Sequence, residues 1–265
     1  PPPMPVTRRR FIGGSAIAAA TSGAACQKPA PALPVPRRTA ATVEDVLAQA
    51  LDSAKKAGAT YADARIVRRR TERVATREDH VVSVTSAETY GIGVRVIADG
   101  AWGFASSPTV TGGAAEEAAR KAVAIARAAR PALKHPVELA PAPVAKGKWQ
   151  TKMDIDPFEV PLADKAAYLL SLWPLVRDVA LVKFASGAIE SLGEHKIFAS
   201  SEGSLVEQTQ TRIWPSFSVT AVEGGQFESR ASEVPPMQAG WEYVTSSSIA
   251  KDARRIAEDA VKKLK

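Results

Sequence analysis

The sequence predicts an α+β fold of two similar units, each with an antiparallel sheet of four or five strands covered by helices. Short runs of alternating apolar and polar residues indicate half-buried strands, and amphipathic stretches flank each group of strands. The order helix, strands, helix occurs twice along the 265 residues. With 45% hydrophobic and 24% charged residues, the chain has the composition of a globular protein and is long enough for two modest domains.

The segment 1–26 predicts a twin-arginine export signal, and with it a periplasmic or extracytoplasmic location. Arg8 and Arg9 precede Phe11, and a mildly apolar run of small residues follows at 13–25. This run is too short to span a bilayer as a stable helix, so no stable membrane span is expected.

Cys26 follows this run and is the only cysteine, so no internal disulfide can form. It stands where a lipoprotein carries its lipid, but Gly23 replaces the large aliphatic residue typical three positions earlier. Simple cleavage, or retention of the leader, is therefore favoured over lipidation. The stretch 27–41 is rich in proline and alanine and predicts an extended linker.

The formal net charge of +7 is concentrated at the N-terminus. Six basic residues precede residue 39 with no acidic residue among them: Arg8, Arg9, Arg10, Lys28, Arg37 and Arg38. The run 65–70 (RIVRRR) is also basic, but it alternates along a predicted strand and acidic residues follow it closely. A solvated strand face is therefore favoured over a phosphate-binding patch, and no nucleic-acid partner is expected.

The first unit, residues 42–135, begins with an amphipathic helix at Val43–Lys56 and ends with an alanine-rich helix at Gly113–Arg130. The last turn of the second helix is basic and its first turns are acidic, which suits the helix dipole. Between the helices the pattern predicts five strands: Tyr61–Arg70, Glu72–Arg77, Val81–Tyr90, Gly91–Ala98 and Ala101–Ser106.

The last two of these strands predict a β-hairpin with Asp99-Gly100 as a type I′ turn. Ala98 is then expected to pair with Ala101, and Ile97 with Trp102. One face of the hairpin carries small residues on which a helix can lie, and the other carries larger apolar side chains. We therefore expect other parts of the protein to cover both faces of this hairpin.

Prolines in the stretch 136–150 predict a linker, and the second unit covers 151–265. Helices are predicted at Leu162–Arg177 and Ser247–Leu264, the latter with a clear apolar stripe. The predicted strands between them are Leu181–Leu192, His195–Ser200, Ser204–Thr211, Ser216–Val222 and Gln226–Ser232.

Gly224-Gly225 occupies the turn position that Asp99-Gly100 has in the first unit, and Val222 would face Phe227 across it. This match suggests a divergent internal duplication, although one shared hairpin could also be coincidence.

The segment Tyr61–Asp79, the hairpin sequence GIGVRVIADGAWGFASS and the alanine-rich helix that follows resemble the N-terminal region of TldD/PmbA (TldD/TldE) metalloproteases. The resemblance implies that 42–135 is the N-terminal α/β domain of that family and 151–265 its middle domain. It also implies a homodimer or a heterodimer with a related subunit, and a peptide substrate held as an added strand. The family's zinc site lies in a C-terminal domain absent from this chain, so zinc is expected in the full-length enzyme and no cofactor in this segment.

The resemblance predicts the non-catalytic N-terminal portion of an exported zinc metallopeptidase acting on unfolded or extended peptides. Two alternatives stay open: an inactive partner subunit of the TldE/PmbA kind, or a stand-alone exported binding module. The chain stops within a charged helix, which favours a domain boundary over a native terminus.

No residue of this segment matches a catalytic or metal-binding position of the family. The three histidines, His80, His135 and His195, are isolated in sequence, and Glu194-His195 is expected in a turn between strands. Five aromatic residues could form a binding platform, but packing in cores or between domains is favoured. They are Trp102, Phe104, Trp214, Phe217 and Phe227.

Overall fold

The structure is a computed structural model that describes residues 42–264. The predicted export signal, with Arg8, Arg9 and Phe11, lies outside these residues, as do Cys26 and the predicted linker 27–41. None of the helices in the described part has the length and apolar character needed to cross a membrane.

Residues 42–264 contain five α-helices and seven β-strands. The helices are α1 (Val43–Lys56), α2 (Gly112–Ala129), α3 (Leu162–Leu170), α4 (Glu242–Ser246) and α5 (Ile249–Leu264). The strands are β1 (Tyr61–Arg77), β2 (His80–Ala98), β3 (Ala101–Ser107), β4 (Lys146–Gln150), β5 (Val182–Ser200), β6 (Leu205–Glu223) and β7 (Gln226–Ala231).

All seven strands belong to one sheet, in the order β3-β2-β1-β5-β6-β4, with β7 also paired to β6. β4 pairs with β6 in parallel, and the other neighbouring strands are antiparallel. At the centre, β1 and β5 pair from Asp63–Ser200 to Arg77–Ser186. The predicted α+β class is therefore confirmed, and the strands of the two units join in a single sheet.

The strand order is the same in both halves when it is read outward from the central pair, β1-β2-β3 and β5-β6-β7. Each half ends in a tight hairpin, and Asp99-Gly100 and Gly224-Gly225 all have positive φ. Ile97 pairs with Trp102 as predicted, and the equivalent pair of the second hairpin also forms. The repeated order supports the hypothesis of an internal duplication.

Two hydrophobic cores lie on the same face of the sheet, towards opposite ends of its long strands. Side chains alternate between faces along a strand, and the even positions of β1 point to this face. Ala64 and Ile66 enter the first core with α1 and α2, whereas Val74 enters the second core with α3 and α5.

The expectation of cover on both faces of the first hairpin is wrong. Phe104, on the face away from α2, is 57% exposed, and Trp102 is half-buried. The Arg95 guanidinium lies 4.7 Å from the Trp102 ring centre, and the Tyr61 ring contacts Trp102 edge-on at 5.9 Å. These two side chains shield part of the apolar face in place of a helix.

Four strands are longer than predicted. They run without interruption through the predicted breaks at Thr71, Gly91, Gly193 and 212–215. Pro215 is tolerated inside β6 because Ile213 and Phe217, on either side of it, direct their N–H groups away from β5 and towards the segment that follows β7. A proline at this outward position removes no hydrogen bond from the β5–β6 ladder.

The predicted end of the third helix is wrong, and the predicted linker contains a strand. The helix predicted at Leu162–Arg177 ends at Leu170, and a short 3-10 helix follows at Trp173–Leu175. Pro174 has no N–H group for the α-helical ladder, which explains the change. The stretch predicted as a linker, 136–150, contains β4, because its last residues pair with the outer edge of β6.

Gly103 allows α2 to lie directly on β3. A Cβ atom at Gly103 would lie 2.0 Å from the carbonyl oxygen of Ala122 and 2.7 Å from the backbone nitrogen of Ala126. Both are backbone atoms of a helix, so a side-chain rotation cannot relieve the clash. The small residues predicted on this face of the hairpin therefore set the distance between helix and sheet.

We expect Gly103→Ala to lower the free energy of unfolding by about 1–3 kcal/mol, the usual cost of overpacking. Urea unfolding measures the change. Gly113→Ala is the control, because no atom lies within 4 Å of a Cβ at that position. Equal stability of the two variants would contradict the close approach.

A buried ion pair joins α3 to β1. The Lys165 side chain is 1% exposed, and its Nζ lies 2.5 Å from Oε2 of Glu72. The pair lies beside the second core, where removal of one partner would leave the other charge without compensation.

We therefore expect Lys165→Met to destabilise the fold by about 3–5 kcal/mol. The double variant Lys165→Met with Glu72→Met leaves no unpaired charge and is expected to recover much of that loss. Urea unfolding of both variants at neutral pH provides the comparison. If the double variant is less stable than Lys165→Met alone, the account of the pair is incorrect.

Candidate functional site

The six arginines of β1 are each paired with a carboxylate. The pairs are Arg65–Asp63, Arg68–Glu88, Arg69–Glu194, Arg70–Glu88, Arg73–Glu190 and Arg77–Glu78, with N–O distances of 2.7–3.9 Å. The arginine side chains are 41–57% exposed. These pairs lie on both faces of β1, and solvated arginines that already have carboxylate partners favour solvated strand positions over a phosphate-binding patch.

A groove of about 580 Å³ lies on the face of the sheet opposite the helices, where β3 ends beside β2. Gly91 and Gly93 form part of its lining, and Arg65, Arg69 and Phe104 border it. The Phe104 ring lies over Gly93, 3.0 Å from where a Cβ would be. A larger residue at Gly93 would thus press against this ring, and the glycine lets the aromatic side chain lie flat against the strand.

A buried carboxylate stands at one end of the groove. Asp63 is 1% exposed, and it accepts hydrogen bonds from Arg95 Nε at 2.8 Å and from the Tyr61 hydroxyl at 3.1 Å. Burial raises the pKa of the Tyr61 phenol, and the charge of Asp63 raises it further. The cluster fixes Arg95 between Asp63 and Trp102 at the border of the groove.

The five aromatic residues considered for a platform do not form one surface. Phe217 is buried in the second core, in agreement with the packing interpretation. Trp214 is 44% exposed and donates its indole N–H to the Val234 carbonyl oxygen, whereas Phe227 is 73% exposed on β7. Only the neighbours Trp102 and Phe104 share one face of a strand, beside the groove.

The three histidines lie far apart in the fold. His80 begins β2 beside Asp79, and His135 is exposed in the segment after α2. His195 lies within β5, so its predicted position in a turn is wrong. The strand continues because Gly193, which suggested the break, keeps its extended pairing with Arg70 in β1.

His195 shares a carboxylate with a lysine of β4. Its Nε2 lies 2.9 Å from Glu207 Oε1, and Lys148 Nζ lies 2.6 Å from Oε2 of the same side chain. Hydrogen bonds from Lys148 and His195 hold the pKa of Glu207 below its usual value. The charge of Glu207 thus links the parallel strand β4 to β5 across β6.

The described residues do not offer a set of ligands for zinc. A catalytic zinc needs three closely placed His, Cys, Asp or Glu ligands and an open position for water. Within residues 42–264, no three such side chains are grouped to hold a metal ion.

Sequence reasoning did not identify the groove or its buried aspartate. Asp63 interrupts an apolar run in β1, and a lone acid in such a run is a signal that could have been used. The groove itself depends on where β3 stops along β2, which the residue pattern gives only approximately.

Comparison with known proteins matches both halves of the chain to domains of one family. The family model described as PmbA/TldA metallopeptidase domain 1 matches residues 62–126, and the model of the PmbA/TldA metallopeptidase central domain matches residues 155–265. A metalloprotease of Methanothermobacter thermautotrophicus is 26% identical over 215 residues, which cover 77% of this chain and 43% of that protein.

Solved structures share the fold at low sequence identity. A putative modulator of DNA gyrase from Bacteroides thetaiotaomicron has a TM-score of 0.63 at 17% identity, over 84% of this chain and 49% of that chain. TldE from Thermococcus kodakarensis has a TM-score of 0.57 at 14% identity, over 83% of this chain and 47% of that chain. The chain thus spans about half the length of these relatives, and with both family domains matched it belongs to the PmbA/TldD family.

Proposed function

We propose that this chain is the non-catalytic N-terminal portion of an exported zinc metallopeptidase that acts on unfolded or extended peptides. The observation that carries the proposal is the match of both family domains, which together cover most of residues 62–265. The metalloprotease relative supports a peptidase-related role. Because the chain spans 43% of that relative, the activity is proposed for a longer protein rather than for these residues alone.

In this proposal the described residues form a scaffold. They lack a grouped set of metal ligands, so no step of hydrolysis is assigned to them. The zinc-activated water and its carboxylate base would come from the family's C-terminal domain. The open face of the sheet and its groove are the surfaces available to that domain, to a peptide substrate or to a related subunit in a dimer.

Export through the twin-arginine route is part of the proposal and rests on the sequence of the leader. Arg8, Arg9 and Phe11 stand in the order of the export motif, ahead of a short apolar run. Such a leader would place the protein in the periplasm or outside the cytoplasm.

The test compares the 265-residue chain with the product of the same reading frame extended to its natural stop codon. We expect the longer protein to bind about one zinc ion per chain and to cleave a fluorogenic unfolded peptide, with activity lost on chelation and restored by zinc. The 265-residue chain is expected to do neither. In the producing organism the longer protein should appear in the periplasmic fraction, and the double variant Arg8→Lys with Arg9→Lys should not.

Each other outcome changes the proposal in a defined way. If neither form binds zinc, the inactive partner of the TldE kind replaces the active peptidase. If the reading frame ends at Lys265, the stand-alone binding module replaces both. Zinc binding or cleavage by the 265-residue chain alone would show that these residues are not merely a scaffold.

A further inference from the structure

A cavity of about 410 Å³ lies on the face of the sheet opposite the helices, beside Trp214. Thr71 and Arg73 border it and occupy odd-numbered positions of β1, which point away from the helices. The residues paired with them in β5 and β6 point to the same face, because directly opposed side chains of an antiparallel sheet share one side. We call this the Trp214 cavity. Its side chains form two rows across the sheet: Thr71, Leu192 and Arg212 in one, and Arg73, Glu190 and Trp214 in the other.

The wall of the cavity at Trp214 is held in place by the segment that follows β7. The Trp214 indole N–H donates to the Val234 carbonyl oxygen at 3.1 Å. Two backbone hydrogen bonds of 2.9 and 3.0 Å join Ile213 to Met237, and Pro236 beside them borders the cavity. Because these contacts orient the wall before any ligand arrives, binding requires little further ordering of the protein.

The cavity offers apolar surface that solvent reaches. Leu192 is half-buried at the floor, Trp214 is 44% exposed, and the Pro236 ring lies at the rim. Small-molecule sites are typically apolar cavities of about 300–1,000 Å³ with a few well-placed polar groups. The size and lining of the Trp214 cavity agree with this description.

The charged groups around the cavity leave one guanidinium without a carboxylate. Arg73 is paired with Glu190 at 2.9 Å, and Glu72, whose side chain points to the other face, is paired with Lys165. Arg212 donates a hydrogen bond only to the side-chain oxygen of Gln210, at 3.3 Å. Within residues 42–264, no carboxylate forms an ion pair with Arg212. The cavity therefore carries a local positive charge that is accessible from solvent.

This combination selects a ligand by its chemistry. A guanidinium presents a planar set of N–H donors that matches a carboxylate in two parallel hydrogen bonds. An indole ring offers a flat apolar surface, against which another aromatic ring packs favourably. Arg212 and Trp214 are two residues apart on the same face of β6, so one small molecule can contact both.

We propose that the Trp214 cavity binds an aromatic carboxylic acid, with the ring against Trp214 and Leu192 and the carboxylate on Arg212. A free small acid and the C-terminal aromatic residue of a peptide present the same chemistry to this site. The inference goes beyond the proposed function, because binding here is independent of whether the longer protein holds zinc or hydrolyses peptides.

The test follows the indole N–H signal of Trp214 by NMR in the whole 265-residue chain. The chain has five tryptophans, and the signal missing from Trp214→Phe identifies the one that matters. Three probes are compared: N-acetylphenylalanine, its amide, and N-acetylglycine. We expect N-acetylphenylalanine to shift the Trp214 signal with a Kd of about 1 mM or tighter, as its size allows. The amide lacks the carboxylate and N-acetylglycine lacks the ring, so both should bind at least about tenfold more weakly.

Arg212→Gln is the decisive variant. It removes the guanidinium from an exposed side chain that has no ion pair to lose, so the thermal unfolding midpoint should not change. We expect the variant to bind N-acetylphenylalanine no more tightly than the amide, with binding of the amide unaltered. Arg230→Gln, at an exposed arginine of β7 outside the cavity, is the matched control and should bind like the original chain. Arg212→Lys keeps the charge without the planar set of donors and should retain part of the preference for the acid.

A short peptide distinguishes the two sources of the acid. If acetyl-triglycyl-phenylalanine binds as tightly as N-acetylphenylalanine, the cavity accepts the C-terminal residue of a peptide. If the peptide binds much more weakly, the ligand is a free small acid, and the site is supported in either case. No shift of the Trp214 signal, equal affinity for acid and amide, or undiminished binding of the acid by folded Arg212→Gln would overturn the proposal.

Discussion

The antiparallel pairing of β1 with β5 holds the structure together. Fifteen residue pairs join these strands, from Asp63–Ser200 to Arg77–Ser186. Each hydrophobic core also takes residues from the partner half: Ile197 and Ala199 of β5 pack in the first core, and Val74 of β1 packs in the second. Neither half can therefore complete its core without the central strand of the other.

This arrangement concentrates the helices on one face and leaves the opposite face to polar pairs. Arginines of β1 face carboxylates of neighbouring strands there, and the end of β3 leaves a groove beside Gly91. The two outer edges differ, because β4 and β7 cover β6 whereas β3 covers only part of β2. The surfaces available for binding thus follow from strand lengths as much as from individual side chains.

The residue pattern predicted most elements and both tight hairpins, because Asp99-Gly100 and Gly224-Gly225 have an unambiguous turn chemistry. It did not predict that the two halves share one sheet. The alternation along β1 indicates which residues are buried but not which strand pairs with β1. The position of β4 was missed for a similar reason: Lys146–Gln150 is exposed and gains its strand conformation only from pairing with β6. The buried Lys165 was missed because its charge predicts a surface position, and only its contact with Glu72 explains its burial.

Native-state hydrogen exchange of the 265-residue chain tests the coupling of the two halves most directly. The backbone groups of Ala62 bond to Ser201 beside β5, so the alternation along β1 directs the N–H groups of Ile66 and Val74 to β5 as well. Because one core surrounds each of these residues, we predict that both amides exchange through the same global unfolding, with equal free energies and equal dependence on denaturant. Different free energies, with one half exchanging while the other stays protected, would contradict the account.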